Sequence, residues 1–266
     1  MGNQWLKILG NANAWLSRKP IEELLPLGDA IFLHRPHGQP CHGITSEVIR
    51  DFNSLSRLIL TNQDTRRYTV PADVTLITYN SRPSKSRIER CYEAVGITDF
   101  VVLGKEVAQW SWSAKVRLVL NYLEAGNCTT RYLLATDADD VLMVNDPATL
   151  LDRFHSYSCD VLFCNTFVDW PPNKKYRDFE TLQYYRYPFH CRLSAGGYIG
   201  KQEAIAAYLR MLLKACEDRE EWAFFNGGFD DQLGWRSLHC KFYPSIQVDT
   251  ACRIFKRYDI FKDCVD

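Results

Sequence analysis

Short apolar runs rich in β-branched and aromatic residues alternate along the chain with stretches whose apolar positions recur every three or four residues. "AIFLH" (30–34) precedes "SEVIRDFNSLSRLIL" (46–60), "VTLITY" (74–79) precedes "SKSRIERCYEAV" (84–95), and "DFVVLG" (99–104) precedes "SAKVRLVLNYLEA" (113–125). "RYLLAT" (131–136) then precedes "PATLLDRFHSY" (147–157), and "DVLFCN" (160–165) resumes the strand pattern. The first kind of run predicts buried strands and the second amphipathic helices. Their alternation predicts an α/β fold with a mostly parallel central sheet. The polar, proline-containing "TNQDTRRYTVPAD" (61–73) is a weak boundary, so residues 1–70 read as an N-terminal extension packed on a core domain of residues 71–266.

A chain of 266 residues suffices for one sizeable α/β domain with a well-buried core. Its 32 Lys and Arg balance 32 Asp and Glu, which leaves no global charge to attract nucleic acid or an acidic membrane. The 10 cysteines are scattered singly, without a Cys-x-x-Cys pair, and several sit in apolar runs such as "CDVLFC". That spread reads as free buried thiols in a reducing compartment. "MGNQWLKILGNANAWLSRK" carries neither a basic start followed by an apolar run nor a membrane-spanning stretch, and Leu6 stands where a myristoylation signal needs Ser or Thr. The expectation is a cytoplasmic protein without a transmembrane segment, lumenal only if the sequence is an excised domain.

Candidate chemistry concentrates after "RYLLAT", where the chain places Asp137, Asp139 and Asp140 before returning to Val-Leu-Met. Ligands of open parallel sheets bind beyond the carboxyl ends of the strands, and this cluster sits at such an end. Carboxylates so close repel one another and would cost several kcal/mol to bury unpaired, so a positive partner is expected. Asp137 and Asp139 share a face if the strand continues; Asp137 and Asp140 converge if the chain turns. Either pair suits Mg²⁺ or Mn²⁺, which take oxygen ligands and leave positions for substrate phosphates. A solvated turn with one Asp capping the helix at "NDPATLL" is the plainer reading.

"FNGGFDDQLGW" (225–235) offers a second acidic point, where one of Asp230 and Asp231 is a natural helix cap and the other is free for chemistry. In "RLSAGGYIG" (192–200), Gly196 and Gly197 allow close approach of a ligand or another backbone, or a tight turn. "HRPHGQPCH" invites a zinc reading through His34, His37, Cys41 and His42, but its spacing matches no standard zinc pattern and its prolines make it a loop. Trp110, Trp112 and Trp170 are either core or stacking surfaces for a planar or sugar ring.

Taken in order, "VTLITYNS", "VVLG", "AKVRLVL", "RYLLATDADDVLMVNDP", "VLFCNTFVDWPP", "LSAGGYIG", "DDQL" and "VDTACRIF" resemble the glycosyltransferase domain of the collagen lysyl hydroxylases, over roughly residues 72–256. The resemblance implies a GT-A fold, the Rossmann-like fold of nucleotide-diphospho-sugar transferases. It also implies a UDP-sugar donor, a Mn²⁺ or Mg²⁺ ion, and a hydroxyl of a glycan or protein as acceptor. By it, Asp137 and Asp140 match the acidic positions of the metal motif. Asp139 replaces an aromatic residue beside the nucleotide base and becomes an additional candidate ligand. Thr78, Tyr79 and Asn80 would line the nucleotide cleft, with Lys115 near the diphosphate and Gly196 and Gly197 beside the donor. Trp170 would belong to the sugar and acceptor pocket, and Asp230 and Asp231 would flank the donor sugar as the catalytic acidic pair.

The chain departs from the family at several points. The family carries a further metal-ligating histidine beyond the segment matching "CRIF", whereas no histidine follows His239 here, so Asp259, Asp263, Asp266 or water would complete the metal shell. Ser194-Ala195 replaces an Asn-Ser pair, and the tryptophan-bearing loop before Lys115 is shorter. These departures leave open a non-catalytic sugar-nucleotide or glycan-binding relative. "LLATDADDV" also fits the Asp-x-Asp pattern of haloacid-dehalogenase-like phosphatases, but that family places its nucleophile on the first strand, and several strand–helix units precede Asp137 here.

Overall fold

A computed structural model describes residues 30–34, 53, 56, 57, 60, 67–166, 168–187 and 191–257. The predicted strands form where their apolar runs lie, β1 (Phe32–His34), β2 (Val74–Tyr79), β3 (Val101–Leu103), β4 (Tyr132–Thr136) and β6 (Val161–Thr166), and the Val-Leu-Met run after the acidic turn adds an unpredicted strand, β5 (Val141–Met143). They are followed by β7 (Arg192–Lys201), a hairpin of β8 (Phe224–Phe225) and β9 (Gly228–Phe229), then β10 (Ile246–Val248) and β11 (Phe255–Arg257). The helices are α1 (Arg87–Ala94), α2 (Trp112–Glu124), α3 (Leu150–His155), α4 (Lys174–Gln183), α5 (Gln202–Glu217) and α6 (Asp231–Phe242). Helix α1 begins with a capping box in which the Ser86 side chain accepts the Glu89 N–H and Glu89 accepts the Ser86 N–H. Of the helix expected at 46–60, the structure describes only Asn53, Ser56, Arg57 and Leu60.

The main sheet has six strands in the order β10-β6-β7-β4-β2-β3. β2 is parallel to β3 and β4, and β10 is parallel to β6. β7 runs antiparallel to both β4 and β6 in the middle of the sheet. Helix α4 packs against α6 and β7 instead of carrying the chain back along the sheet, so β7 starts at the edge where β6 ends, with Arg192 opposite Thr166. Alternation along the strands divides two cores. Leu76, Leu134, Leu162 and Ile199 face one of them with Ile88 and Tyr92. Ile77, Leu133, Phe163 and Tyr198 face the other with Val119, Leu209 and Trp235.

A second sheet, β11-β1-β5, sits beyond the end of β4. β1 is its middle strand, parallel to β11 and antiparallel to β5, and residues 30–33 are fully buried. This piece of the expected N-terminal extension is therefore core. The described cysteines are free thiols, while Cys41 and Cys264 lie outside the described residues. No helix among the described residues is long and apolar enough to cross a membrane.

Candidate active site

The chain turns through residues 137–140 between β4 and β5, and its neighbours pin the turn. The Asp137 N–H donates to the Gly196 carbonyl at 2.9 Å, and the Ile88 N–H at the start of α1 donates to the Ala138 carbonyl at 3.0 Å. Asp139 accepts from the Arg87 N–H at 3.4 Å and pairs with the Arg82 guanidinium. The positive N-terminal end of a helix favours an anion, and Asp139 is drawn to α1, away from its acidic neighbours. Asp139, expected as an additional ligand, stands apart from the group of described residues that converges: Asp137, Asp140 and His34 bring one ligand atom each to within 4.8 Å of one another. His34 Nε2 lies 3.5 Å from Asp140 Oδ2. Asp259, Asp263 and Asp266, together with His37, Cys41 and His42, lie outside the described residues.

The expected positive partner is Lys115 on α2. Its buried Nζ donates to Asp137 Oδ1 at 2.9 Å and to the Ala195 carbonyl at 3.1 Å, and it lies 3.3 Å from Asp231 Oδ2. Burial alone would lower the pKa of this ammonium, but the Asp137 and Asp231 carboxylates raise it above the usual lysine value and keep it charged. The Ala195 carbonyl is available because β7 shifts register beside Phe163 and Cys164. The Ala195–Gly197 stretch has no partner on β6 there, while Gly197 stays paired with Thr136 of β4.

The acidic pair divides its tasks. Asp230 caps α6, its side chain accepting the Leu233 N–H at 2.8 Å, and burial raises its pKa. Asp231 is only 4% exposed. Burial pushes its carboxyl up to about 6, with Asp230 and Asp137 adding to the rise and Lys115 opposing it. Gln232 accepts the Ala195 N–H at 3.3 Å and donates its amide to the Trp170 carbonyl, tying α6 to both walls of the site. The Trp170 segment is further held by Arg236, which donates to the Pro171 carbonyl at 2.7 Å, Asp169 at 2.9 Å and Glu180 at 2.7 Å.

These groups border one cleft of about 610 Å³, counting the open solvent at its mouth. Of the residues singled out in the sequence, Asp137, Asp140, Lys115, Trp170, Gly196, Asp230 and Asp231 line it together, with Trp112 at its edge. Thr78, Tyr79 and Asn80, expected at the nucleotide cleft, are not among the residues that line this one. Thr78 is fully buried with its hydroxyl on the Thr136 carbonyl, and Asn80 is tied to Ser84 and Glu89. The Tyr79 ring lies 5.3 Å from Lys115 Nζ, and its hydroxyl meets that of Tyr198. Gly197 likewise serves packing, because a Cβ there would approach the Phe255 ring to 3.0 Å.

Sequence reasoning missed His34 as a member of this site, and it missed Gln232 and Arg257, which also line the cleft. The available signal for His34 was its place at the end of a wholly apolar run, the same arrangement that drew attention to Asp137.

The profile of the family described as PLOD GT domain, a glycosyltransferase domain, matches residues 88–265, two thirds of the chain. No curated protein matches. Among solved structures the chain is similar to the apo crystal structure of mouse xyloside xylosyltransferase 1, with a TM-score of 0.42 and 11% identity over 85% of this chain and 82% of that one. The family match spans the acidic turn, the lysine, the glycine-bearing strand and the Asp230–Asp231 pair, and by it the chain is a member of the PLOD GT domain family with the GT-A fold.

Proposed function

We propose that this protein is a metal-dependent glycosyltransferase that moves a sugar from a nucleotide-diphosphate donor, a UDP-sugar, to a hydroxyl of a glycan or protein acceptor. The observation that carries this reading is the convergence of Asp137, Asp140, Lys115, Asp231 and Trp170 on one cleft at the carboxyl end of β4. The acidic turn offers hard oxygen ligands suited to Mn²⁺ or Mg²⁺. A divalent cation bound there supplies neutralisation of the charge that grows on the departing diphosphate oxygen. Lys115 adds a fixed positive charge in a water-poor setting, where such a charge acts most strongly on an anionic leaving group.

Asp231 sits in the same cleft with a carboxyl pushed up to about 6, so it is ionised at neutral pH while remaining a competent proton acceptor. In this reading it orients the donor sugar and takes the acceptor proton. Trp170, held from behind by Gln232 and Arg236, offers a ring face for the sugar.

The test is calorimetric titration of the protein with UDP in the presence and absence of Mn²⁺, followed by a panel of UDP-sugars scored for transfer and hydrolysis. Mn²⁺-dependent UDP binding lost in Asp137→Ala, with turnover of at least one UDP-sugar, is the expected result. UDP binding that ignores metal would remove the metal site from the mechanism. Binding without any turnover would leave a sugar-nucleotide-binding relative.

A further inference from the structure

We propose that His34 is the third protein ligand of the cation, so that the N-terminal strand β1, which precedes the family-matched residues, completes the active site. This inference rests on the metal-dependent reading above and assigns a ligand that the matched stretch, 88–265, does not contain.

The pairing of β1 brings the histidine to the acidic turn. β1 runs antiparallel to β5 with His34 opposite Val141, the residue that follows Asp140. The register is fixed by burial, since residues 30–33 are enclosed on both faces, and a one-residue slip would point the imidazole the other way. The side chain is 9% exposed, and its Nε2 stands 3.5 Å from Asp140 Oδ2.

Two further observations point to a ligand. Neither ring nitrogen of His34 has a hydrogen-bond partner, although both are buried. Buried polar groups are nearly always paired, and an imidazole is a common partner for a metal ion. Strand β7 also leaves a slot for the ring. A Cβ at Gly196 would lie 2.1 Å from His34 Nε2 and within 2.8 Å of Cδ2 and Cε1, so any side chain there would evict the histidine. Two cis ligand atoms on an octahedral cation with bonds of about 2.1 Å are about 3 Å apart and trans ones about 4.2 Å. The 4.8 Å span of the three ligand atoms suits such an ion after small side-chain rotations.

The experiment is Mn²⁺ titration of wild type, His34→Ala, His34→Cys and Asp137→Asn, with and without UDP. Free Mn²⁺ is read by electron paramagnetic resonance and folding by near-UV circular dichroism. His34→Ala is expected to bind Mn²⁺ at least about tenfold more weakly, since disturbing even an outer-shell partner costs that much. Cysteine offers a soft thiolate, so His34→Cys should raise the ratio of Cd²⁺ to Mn²⁺ affinity above that of wild type, which a purely structural role would not do. Unchanged Mn²⁺ affinity in His34→Ala, with loss in Asp137→Asn, would overturn the ligand assignment and leave the metal-dependent reading standing. Equal losses of Cd²⁺ and Mn²⁺ binding in His34→Cys would overturn it too. Failure of the wild type to bind Mn²⁺ under either condition would overturn both.

Discussion

Asp231 is held at a cost that can be measured. Its carboxyl titrates at about 6 in the folded protein against an ordinary 3.8, a rise of about two units, or about 3 kcal/mol at 1.36 kcal/mol per unit. Burial dominates the rise, and Lys115 offsets only part of it because the ammonium lies closer to Asp137, at 2.9 Å against 3.3 Å. A raised carboxyl pKa means that the folded state holds its proton more tightly than the unfolded chain. Stability from this group is complete below about 4 and is lost as pH rises through 6. Asp231→Asn keeps the shape and removes the titration. In metal-free buffer, urea unfolding should find the variant more stable than wild type by about 3 kcal/mol at pH 8. The gap should close as pH falls from 6 to 4, while transferase activity is lost at every pH. A gap independent of pH, or a variant less stable than wild type at pH 8, would refute the account.

Arg236→Met would leave Glu180 and Asp169 without their buried partner, and breaking such a pair costs about 3–5 kcal/mol. A large fall in thermal midpoint is expected, and an unchanged midpoint would mean that the Trp170 segment is held by other contacts. Gln232→Ala removes the acceptor of the Ala195 N–H and a donor to the Trp170 carbonyl. Urea unfolding should register a loss of about 1–3 kcal/mol, with a changed near-UV tryptophan signal, and an unaltered signal would exclude Gln232 as the tie between α6 and Trp170.

The acidic turn was legible because three carboxylates after an apolar strand repel one another and call for a positive partner, but that partner was not legible from the cluster itself: Lys115 was singled out only through the family resemblance, and the fold brings its ammonium to Asp137 and Asp231. Asp230 and Asp231 were legible as one cap and one free carboxylate, but not which was which. The cap falls to Asp230 because it directly precedes α6 and its side chain reaches back to the Leu233 N–H. Asp139 could not be placed, since its fate depends on Arg82 and the start of α1, 57 and 52 residues earlier in the chain. That Thr78, Tyr79 and Asn80 lie outside the lining of this cleft was not legible, because a strand end looks the same in sequence whether it opens on a cleft or lies beneath it.

Local pattern was enough to place the strands, because the alternation of apolar runs with helical periodicity follows from which faces must leave water, and each run carries that information in itself. Strand direction and partner were decided by packing. The antiparallel course of β7 depends on α4 lying against α6, and the sharing of one cleft by His34, Asp137 and Asp231 depends on pairing between segments some 100 residues apart. Such contacts form only when the whole core closes and its burial outweighs the entropy of bringing distant segments together. No local spacing encodes them, and a histidine at the end of a short N-terminal strand acquires its acidic neighbours only in the folded protein.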